Sequence, residues 1–467
     1  MRQADEIRTL IRGAQVFDGI SAEAAQRDIL IERDKIVEVS PSVTADAIVV
    51  DATGKFLTPG FIDMHVHLWN LGSEVLPALV GNGVTTVRDL GTRWTIESLG
   101  VGGDARRVRQ LQLDVESGKA VGPNIIYSGP MLHQANPYLF ANPAMMQQLE
   151  DSSGDPGSRP IETPEEARAV VRHLIQEQGV GSIKIYESVR EPILAAILEE
   201  AAGRVPVTGH LGLTSSKVAM RHGIGGMEHL HQSPIRDLAP PHRRIDENDF
   251  LAVPGYALNV LRSWAEVDLE GPEVEDWLRT LIDTGAFLDP TVTIEAGKPR
   301  PEDPRRQLFP RSFPEHEHRS GGEASVGSFG GDEVTSKARA NQRGLMRLIY
   351  ENHGSMVLGT DLLPGALPGW GYHTEMLSFQ RRGVKPIDIL RAATSVAARH
   401  LGRDDLGEVA PGKRADLVLL DRNPAEDAAN VDSISHVVKD GTVYESAKLL
   451  AVAPVASAEA EAGEEDA

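Results

Sequence analysis

The sequence contains no cysteine. Disulfides are therefore excluded, and so are thiolate ligands: any metal must be held by His, Asp, Glu or a modified side chain. The absence does not fix the compartment. Long apolar runs are also missing, and no window approaches the roughly 18 uncharged apolar residues of a membrane span. The opening MRQADEIRTLIRG mixes acids with bases around no apolar centre, so no signal peptide is read there and a cytoplasmic protein is expected. Positive charge is scarce. The 47 Lys and Arg face 68 Asp and Glu, a formal charge of −21. Such a surface repels phosphate backbones, which argues against nucleic acid and anionic membrane as partners and leaves small molecules. Part of the acid lies in the tail ASAEAEAGEEDA, whose composition fits disorder.

What is present is a globular composition, 41% hydrophobic and 25% charged, over 467 residues. That length implies two or three domains, or one large barrel with an accessory domain. Near the start, IRTLIRGAQVFDG, RDILIERDKIVEVS and AIVVDATGKFLTPG join β-rich runs to Gly, Asp or Pro turns. GEVAPGKRADLVLLDRN and SISHVVKDGTVYE do the same near the end, so the two ends can pair into one small β-domain. Between them, eight strand-like runs alternate with helix-like stretches: GFIDMHVH, GVTTVRDLG, NIIYSG, SIKIYE, VPVTGH, GGMEHLH, AFLDPTV and SMVLGTD. Eight βα units predict a (β/α)8 TIM barrel. The helix TPEEARAVVRHLIQEQG has Thr163 as N-cap, Pro164 at its first position and Gly179 at its end. Residues 131–161 and 296–335 are Pro/Gly-rich and break the rhythm, as lids or binding loops do.

His65 and His67 lie two apart on the first barrel strand, so both side chains face the same way. Chance alone yields ~0.5 His-x-His patterns in such a chain. The sequence has three: His65/His67, His229/His231 and His316/His318, the last in a charged stretch that reads as a solvated loop. Lys184, His210, His229 and Asp361 fall at or near the ends of four further strands. Active sites of such barrels sit at the C-terminal strand ends, and converging imidazoles suit a metal. Each residue also has an ordinary explanation. Lys184 could snorkel, His210 could cap a helix, and Asp361 could be a turn residue before Pro364.

The stretches LTPGFIDMHVH, GVTTVRDLG, IKIY, VTGH, MEHL, LGTD and GEVAPGKRADLVLLD resemble the amidohydrolase superfamily, in its imidazolonepropionase-related and prolidase-like branch. The resemblance runs from about residue 8 to 445. It implies an α/β fold: a (β/α)8 barrel over residues 61–403, with a small β-sandwich domain made from residues 1–60 and 404–448, and a disordered acidic tail over 449–467. It implies a binuclear site, with zinc as the expected ion. His65, His67 and Asp361 would hold one metal, His210 and His229 the other, and an Nζ-carbamate on Lys184 would bridge them. His231 is an alternative to His229. The activity implied is cleavage of a peptide-like amide C–N bond, as in a dipeptide or N-acyl amino acid, by a metal-bridging hydroxide, with Asp361 shuttling the proton. His133 and Tyr186 would contact substrate, Arg88 would line the mouth or pair with Asp89, and the chain would form a homo-oligomer. Hydrolysis of a cyclic amide or lactone is the neighbouring alternative, and a non-catalytic assembly protein is the alternative of another class. Single-metal deaminase relatives lack the lysine and place Glu where Leu213 stands here.

Overall fold

Residues 8–68, 71–91, 95–96, 101–102, 105–134, 160–186, 189–212, 214–244, 256–293, 331–362 and 367–451 are described by a computed structural model of the chain. The β-branched runs near the start form β1 (Arg8–Val16), β2 (Ala25–Glu32), β3 (Lys35–Ser40), β4 (Ile48–Asp51) and β5 (Phe56–Pro59). The middle of the chain contributes β6 (Phe61–Val66), β7 (Val84–Asp89), the two-residue pair β8 (Thr95–Ile96) and β9 (Val101–Gly102), β10 (Asn124–Tyr127), β11 (Ile183–Tyr186), β12 (Val207–His210), β13 (Gly226–Glu228), β14 (Phe287–Asp289) and β15 (Ser355–Met356). The end returns as β16 (Leu417–Leu420), β17 (Ile434–Lys439) and β18 (Thr442–Glu445).

Strands from both ends share one sheet, in the order β18-β17-β16-β5-β1-β2-β3, with β4 beside β1. The joint is the antiparallel ladder of β16 on β5, which sets Leu419 against Leu57. Alternate side chains from the two ends fill a common core that includes Ile11, Ile29, Leu57, Leu417 and Val438. Only Gly60 separates β5 from β6, so the end sheet leads directly into the site-bearing strands.

Each of the eight runs expected to be a barrel strand contains a strand, and all pair in parallel. Their ladders do not run continuously around a barrel. They form a three-stranded sheet, β10-β7-β6, and a five-stranded sheet, β11-β12-β13-β14-β15. Single parallel bridges, Leu132↔Ile185 and Val66↔Leu362, touch at the two seams. At one seam Met64 N donates to Leu358 O (2.9 Å), and at the other Leu132 N donates to Lys184 O (2.8 Å). At the seam between β15 and β6 the interruption has a local cause. β15 is two residues long, and the chain beyond it reaches the left-handed Asp361 (φ 48°), which no regular strand accommodates.

Helices back these strands. The helix Pro164–Gln176 is capped by Thr163, whose hydroxyl accepts from Glu166 N, and Glu165 and Glu166 complement its dipole. Its buried face is Ala167, Val170, Val171 and Leu174; each fully buried Val or Leu contributes about 1.5–3 kcal/mol. Two expected boundaries shift. Residues 331–335 open the helix Gly331–Glu351 and are not part of the preceding loop, and the helix Ser446–Ala451 extends into the segment expected to begin the tail. His316, His318, Leu213 and most of the two Pro/Gly-rich segments lie outside the described residues. Among the described residues no helix is long and apolar enough to cross a membrane.

Candidate metal centre

β6 carries His65 and, just past its end, His67, and the pleat turns both toward the same point. Their Nε2 atoms stand 3.3 Å apart. Asp361 Oδ1 lies 3.2 Å from His65 Nε2 and 3.1 Å from His67 Nε2. All three residues are buried. His229 lies beside them, with its ring centroid 4.8 Å from that of His65 and 4.5 Å from that of His210. Tyr186, at the end of β11, stands edge-on to His210 at 5.1 Å. The six expected ligand positions are all buried, and these ring and carboxylate contacts link five of them in one group.

The tautomers can be worked out from partners. His65 Nδ1 lies 3.1 Å from Glu228 Oε2, and His67 Nδ1 lies 2.8 Å from the carbonyl of Gly91. His229 Nδ1 lies 2.9 Å from Thr291 Oγ1, and that hydroxyl donates its own hydrogen to Pro290 O. Each acceptor requires a hydrogen on Nδ1, so in each neutral ring Nε2 is left with its lone pair. Two such lone pairs facing each other across 3.3 Å, with a carboxylate oxygen between them, repel unless a cation or proton joins them. Histidine metal ligands are commonly oriented in this way, with the far nitrogen on a carboxylate or carbonyl.

Among the described residues two groups of donor atoms could hold a metal: His65, His67 and Asp361, and His65, Glu228 and Asp289, each within 4.8 Å of one another. The second group is already engaged. Arg88 Nη2 donates to Glu228 Oε1 at 2.8 Å while its Nε donates to Met64 O, and the guanidinium stacks over Phe287. Glu228 is therefore neutralised by a buried cation, and it orients His65. Arg88 was expected to line the mouth or pair with Asp89. The structure buries it against Glu228, and Asp89 accepts instead from Leu68 N and Gly91 N.

Electrostatics follow the same geometry. Burial and the Lys184 ammonium push the His65 pKa down, but the Asp361 and Asp289 carboxylates overcome them and hold it at about 10. Such a field attracts any cation. Burial raises the Asp361 pKa, but the His65 and His67 rings outweigh it and hold that carboxylate well below its usual range. Burial lowers Lys184 to about 8, with Arg88 adding to the effect and Glu228 opposing it. Lys184 Nζ is buried and makes no hydrogen bond among the described residues. An ammonium so placed is expensive; a neutral amine, or a carboxylate built on it between cations, is not. The donor set therefore fits a metal centre.

Strain collects here. Six non-glycine residues among those described have positive φ, and His229 (64°), Thr291 (47°) and Asp361 (48°) are three of them. His229 and His231 were expected on one strand face. β13 instead ends at Glu228, and the chain turns at His229, whose carbonyl accepts from Gln232 N and Ser233 N. The His231 ring, half-buried, still lies 5.7 Å from that of His229, and burial lowers its pKa to about 4. His133 is buried on the strip that pairs with β11, where Tyr186 N donates to Leu132 O, and burial lowers its pKa to about 4 as well. The buried His373 Nε2 meets Asn82 O at 2.9 Å.

Sequence reading missed Glu228, Asp289 and Asp63. Asp63 accepts from His65 N, Thr360 N and the Thr360 hydroxyl, so it ties the strand of His65 to the segment of Asp361. The one available signal was spacing: Asp63 shares the strand parity of His65 and His67. Gly359 completes the packing, since a Cβ there would stand 2.1 Å from Asp289 Oδ2 and 2.5 Å from His65 Cβ.

The family model for the amidohydrolase family matches residues 56–444. Over 96% of its length the chain is 26% identical to Adenine deaminase 2 of Rhizobium meliloti (strain 1021), and it spans only 58% of that relative's length. A 69-residue stretch, 15% of this chain and 16% of the relative, is 44% identical to a dihydroorotase of Thermoanaerobacter sp. (strain X514). Among solved structures, molinate hydrolase is similar with a TM-score of 0.66 at 20% identity, over 99% of both chains. A Xaa-Pro dipeptidase with bound methionine in its active site is similar with a TM-score of 0.65 at 20% identity, over 94% of this chain and 100% of that one. At such identities these structures speak for the fold alone.

Proposed function

Because the chain belongs to the amidohydrolase family, whose model spans residues 56–444, we propose that it is a two-metal hydrolase cleaving a peptide-like amide C–N bond, as in a dipeptide or N-acyl amino acid. The observation that carries this reading is the convergence of His65 Nε2 and His67 Nε2, 3.3 Å apart, on Asp361 Oδ1 at 3.1–3.2 Å. These three would hold one divalent ion, zinc on this reading, and His210 and His229 the second. His229 is preferred to His231 because its Nδ1 is committed to Thr291. Lys184 would join the two as an Nζ-carbamate. Its lowered pKa leaves part of the amine neutral and able to add carbon dioxide. The ions, when bound, would acidify a water and polarise the scissile carbonyl.

The chain's own groups do the rest. Asp361, held ionised, takes the proton from the attacking water and passes it to the leaving amine. His133 stays neutral at ordinary pH, which suits a hydrogen bond to the substrate carbonyl better than an ion pair with a carboxylate. Tyr186, at the end of β11 and against His210, offers its hydroxyl to the developing oxyanion. Arg88 and Glu228 fix His65 from beneath. The site is assigned to the mouth of a (β/α)8 barrel over 61–403, for which the single bridges at both seams speak. The sheet shared by the ends would form the small β-sandwich domain.

A second reading, hydrolytic removal of an exocyclic amine, is favoured by the match to Adenine deaminase 2 across 96% of the chain. Lys184 separates the two, because a carbamate bridge serves a two-metal site. The test is elemental analysis of protein grown with ample zinc, followed by a screen of N-acyl amino acids, dipeptides, lactones and adenine. About two ions per chain with release of an amino acid supports amide hydrolysis. One ion with ammonia released from adenine supports the deaminase, and no bound metal sinks both.

A further inference from the structure

The buried carboxyl group of Glu375, whose pKa burial raises to about 8, belongs to none of the groups described so far. It sits on the helix Trp370–Arg381, has no exposed surface, and faces the turn that follows β14. Its Oε1 accepts from Val292 N at 3.0 Å, and its Oε2 accepts from Thr293 N at 2.7 Å and from the Thr293 hydroxyl at 2.5 Å. Among the described residues, a helix side chain thus supplies the acceptors for two successive backbone N–H groups. Free in solution that turn has no reason to adopt its conformation, since Thr291 just before it is β-branched and left-handed, with φ 47°.

That turn grips His229 at two points and Leu230 at a third. Asp289 O accepts from His229 N at 2.8 Å, Pro290 O accepts from Leu230 N at 3.3 Å, and Thr291 Oγ1 meets His229 Nδ1 at 2.9 Å. His229 is itself left-handed, so neither side of the contact is held by ordinary strand geometry. We propose that Glu375 is a positioning residue for the second metal position: by clamping Val292 and Thr293 it holds the strained Thr291 turn, and through it orients His229 with Nε2 toward the ion. The inference rests on the two-metal reading above. It assigns to one helix residue the preferential support of one of two ligand sets, because the other set has further partners of its own. His65 is oriented by Glu228 and Asp63, and His67 by Gly91.

Glu375→Gln is the direct probe. The two backbone N–H groups go to different carboxyl oxygens, and an amide offers only one oxygen, so one N–H loses its acceptor whichever way the amide is turned. Thr293→Val is the gentler variant, removing only the hydroxyl bond, and Thr291→Val breaks the last link to His229 while keeping side-chain shape. Chelator-treated wild type and variants are titrated with Co2+, reading stoichiometry, affinity and the visible spectrum of each bound ion, with a cooperative melt to report folding. The expected result is two sites in the wild type. In Glu375→Gln one site is weakened about 10–100-fold and refilled by excess Co2+, and the other is unchanged. Thr291→Val weakens the same site, Thr293→Val does so less, and the pair Glu375→Gln with Thr291→Val is non-additive. Two unchanged sites in folded Glu375→Gln, or equal weakening of both sites, overturns the proposal. If Glu375→Gln does not fold, Thr293→Val and Thr291→Val decide by the same criterion. A wild type that binds fewer than two ions refutes the two-metal reading itself, a result separate from any difference among the variants.

Discussion

Replacing Lys184 with methionine should strengthen the metal-free protein while abolishing its capacity to bind two metals. Lys184 Nζ is buried and without a hydrogen bond among the described residues. Burial lowers its pKa from 10.5 to about 8. Each pKa unit corresponds to ~1.4 kcal/mol, so at pH 7 the confined ammonium costs about 3 kcal/mol relative to the unfolded chain. Methionine has similar length and no charge, so the variant escapes that cost. The sign of the pH dependence is fixed by the lowered pKa. The cost is in full force below about 8 and fades as the pH climbs toward the unfolded value. By pH 9.5 it should fall to about 1 kcal/mol. The assay is urea unfolding of chelator-treated protein in carbon-dioxide-free buffer at pH 7 and pH 9.5, beside Zn2+ and Co2+ binding to each form. The variant's midpoint should exceed that of wild type at pH 7 by up to roughly 1 M, and the gap should narrow at pH 9.5. A variant less stable than wild type at pH 7, or a gap independent of pH, would refute the argument that this lysine is held at a loss for the sake of the bridging group.

Other expectations concern the remaining residues. Asp361→Asn should retain most bound Co2+ yet lose at least about 100-fold in turnover; undiminished turnover rejects the proton-shuttle role. Arg88→Met leaves the Glu228 carboxylate buried without its cation and should destabilise by about 3–5 kcal/mol in urea unfolding. Adding Glu228→Gln should recover much of that, and a harmless Arg88→Met would mean the pair is not what holds His65. His229→Ala should drop one metal equivalent whereas His231→Ala keeps both, and the reverse pattern reassigns the ligand.

The residues that gather at the candidate site were legible because their signal is local. Two histidines at strand parity, a lysine inside an apolar run and an Asp closing LGTD are patterns of a few residues each, and the alternation of strands and helices indicates that their ends can meet. What orients them was not legible. Glu228 stands next to His229 in MEHL, but its partners, Arg88 and His65, are 140 and 163 residues away. Asp289 sits in AFLDP, which reads as an ordinary strand end, and Glu375 lies in a helix with nothing local to single it out. The left-handed turns at His229, Thr291 and Asp361 carry no glycine to announce them, so an even strand through GGMEHLH was the natural and mistaken expectation. Such conformations are imposed by contacts from elsewhere in the fold, and a linear pattern does not contain those contacts.

The ladder of β16 on β5 sets a timing problem for synthesis. Leu57 waits for Leu419, so the ribosome must add roughly 360 residues, which at about 5–20 residues per second takes some 18–70 seconds. Through that interval β5 lacks its neighbour on one side, and the apolar side chains of Ile11, Ile29 and Leu57 lack the lid that Leu417 and Val438 later provide. The central strands can meanwhile assemble behind them. A nascent chain halted after residue 59 and before residue 417 therefore displays a sticky strand edge, which only the arrival of β16 covers.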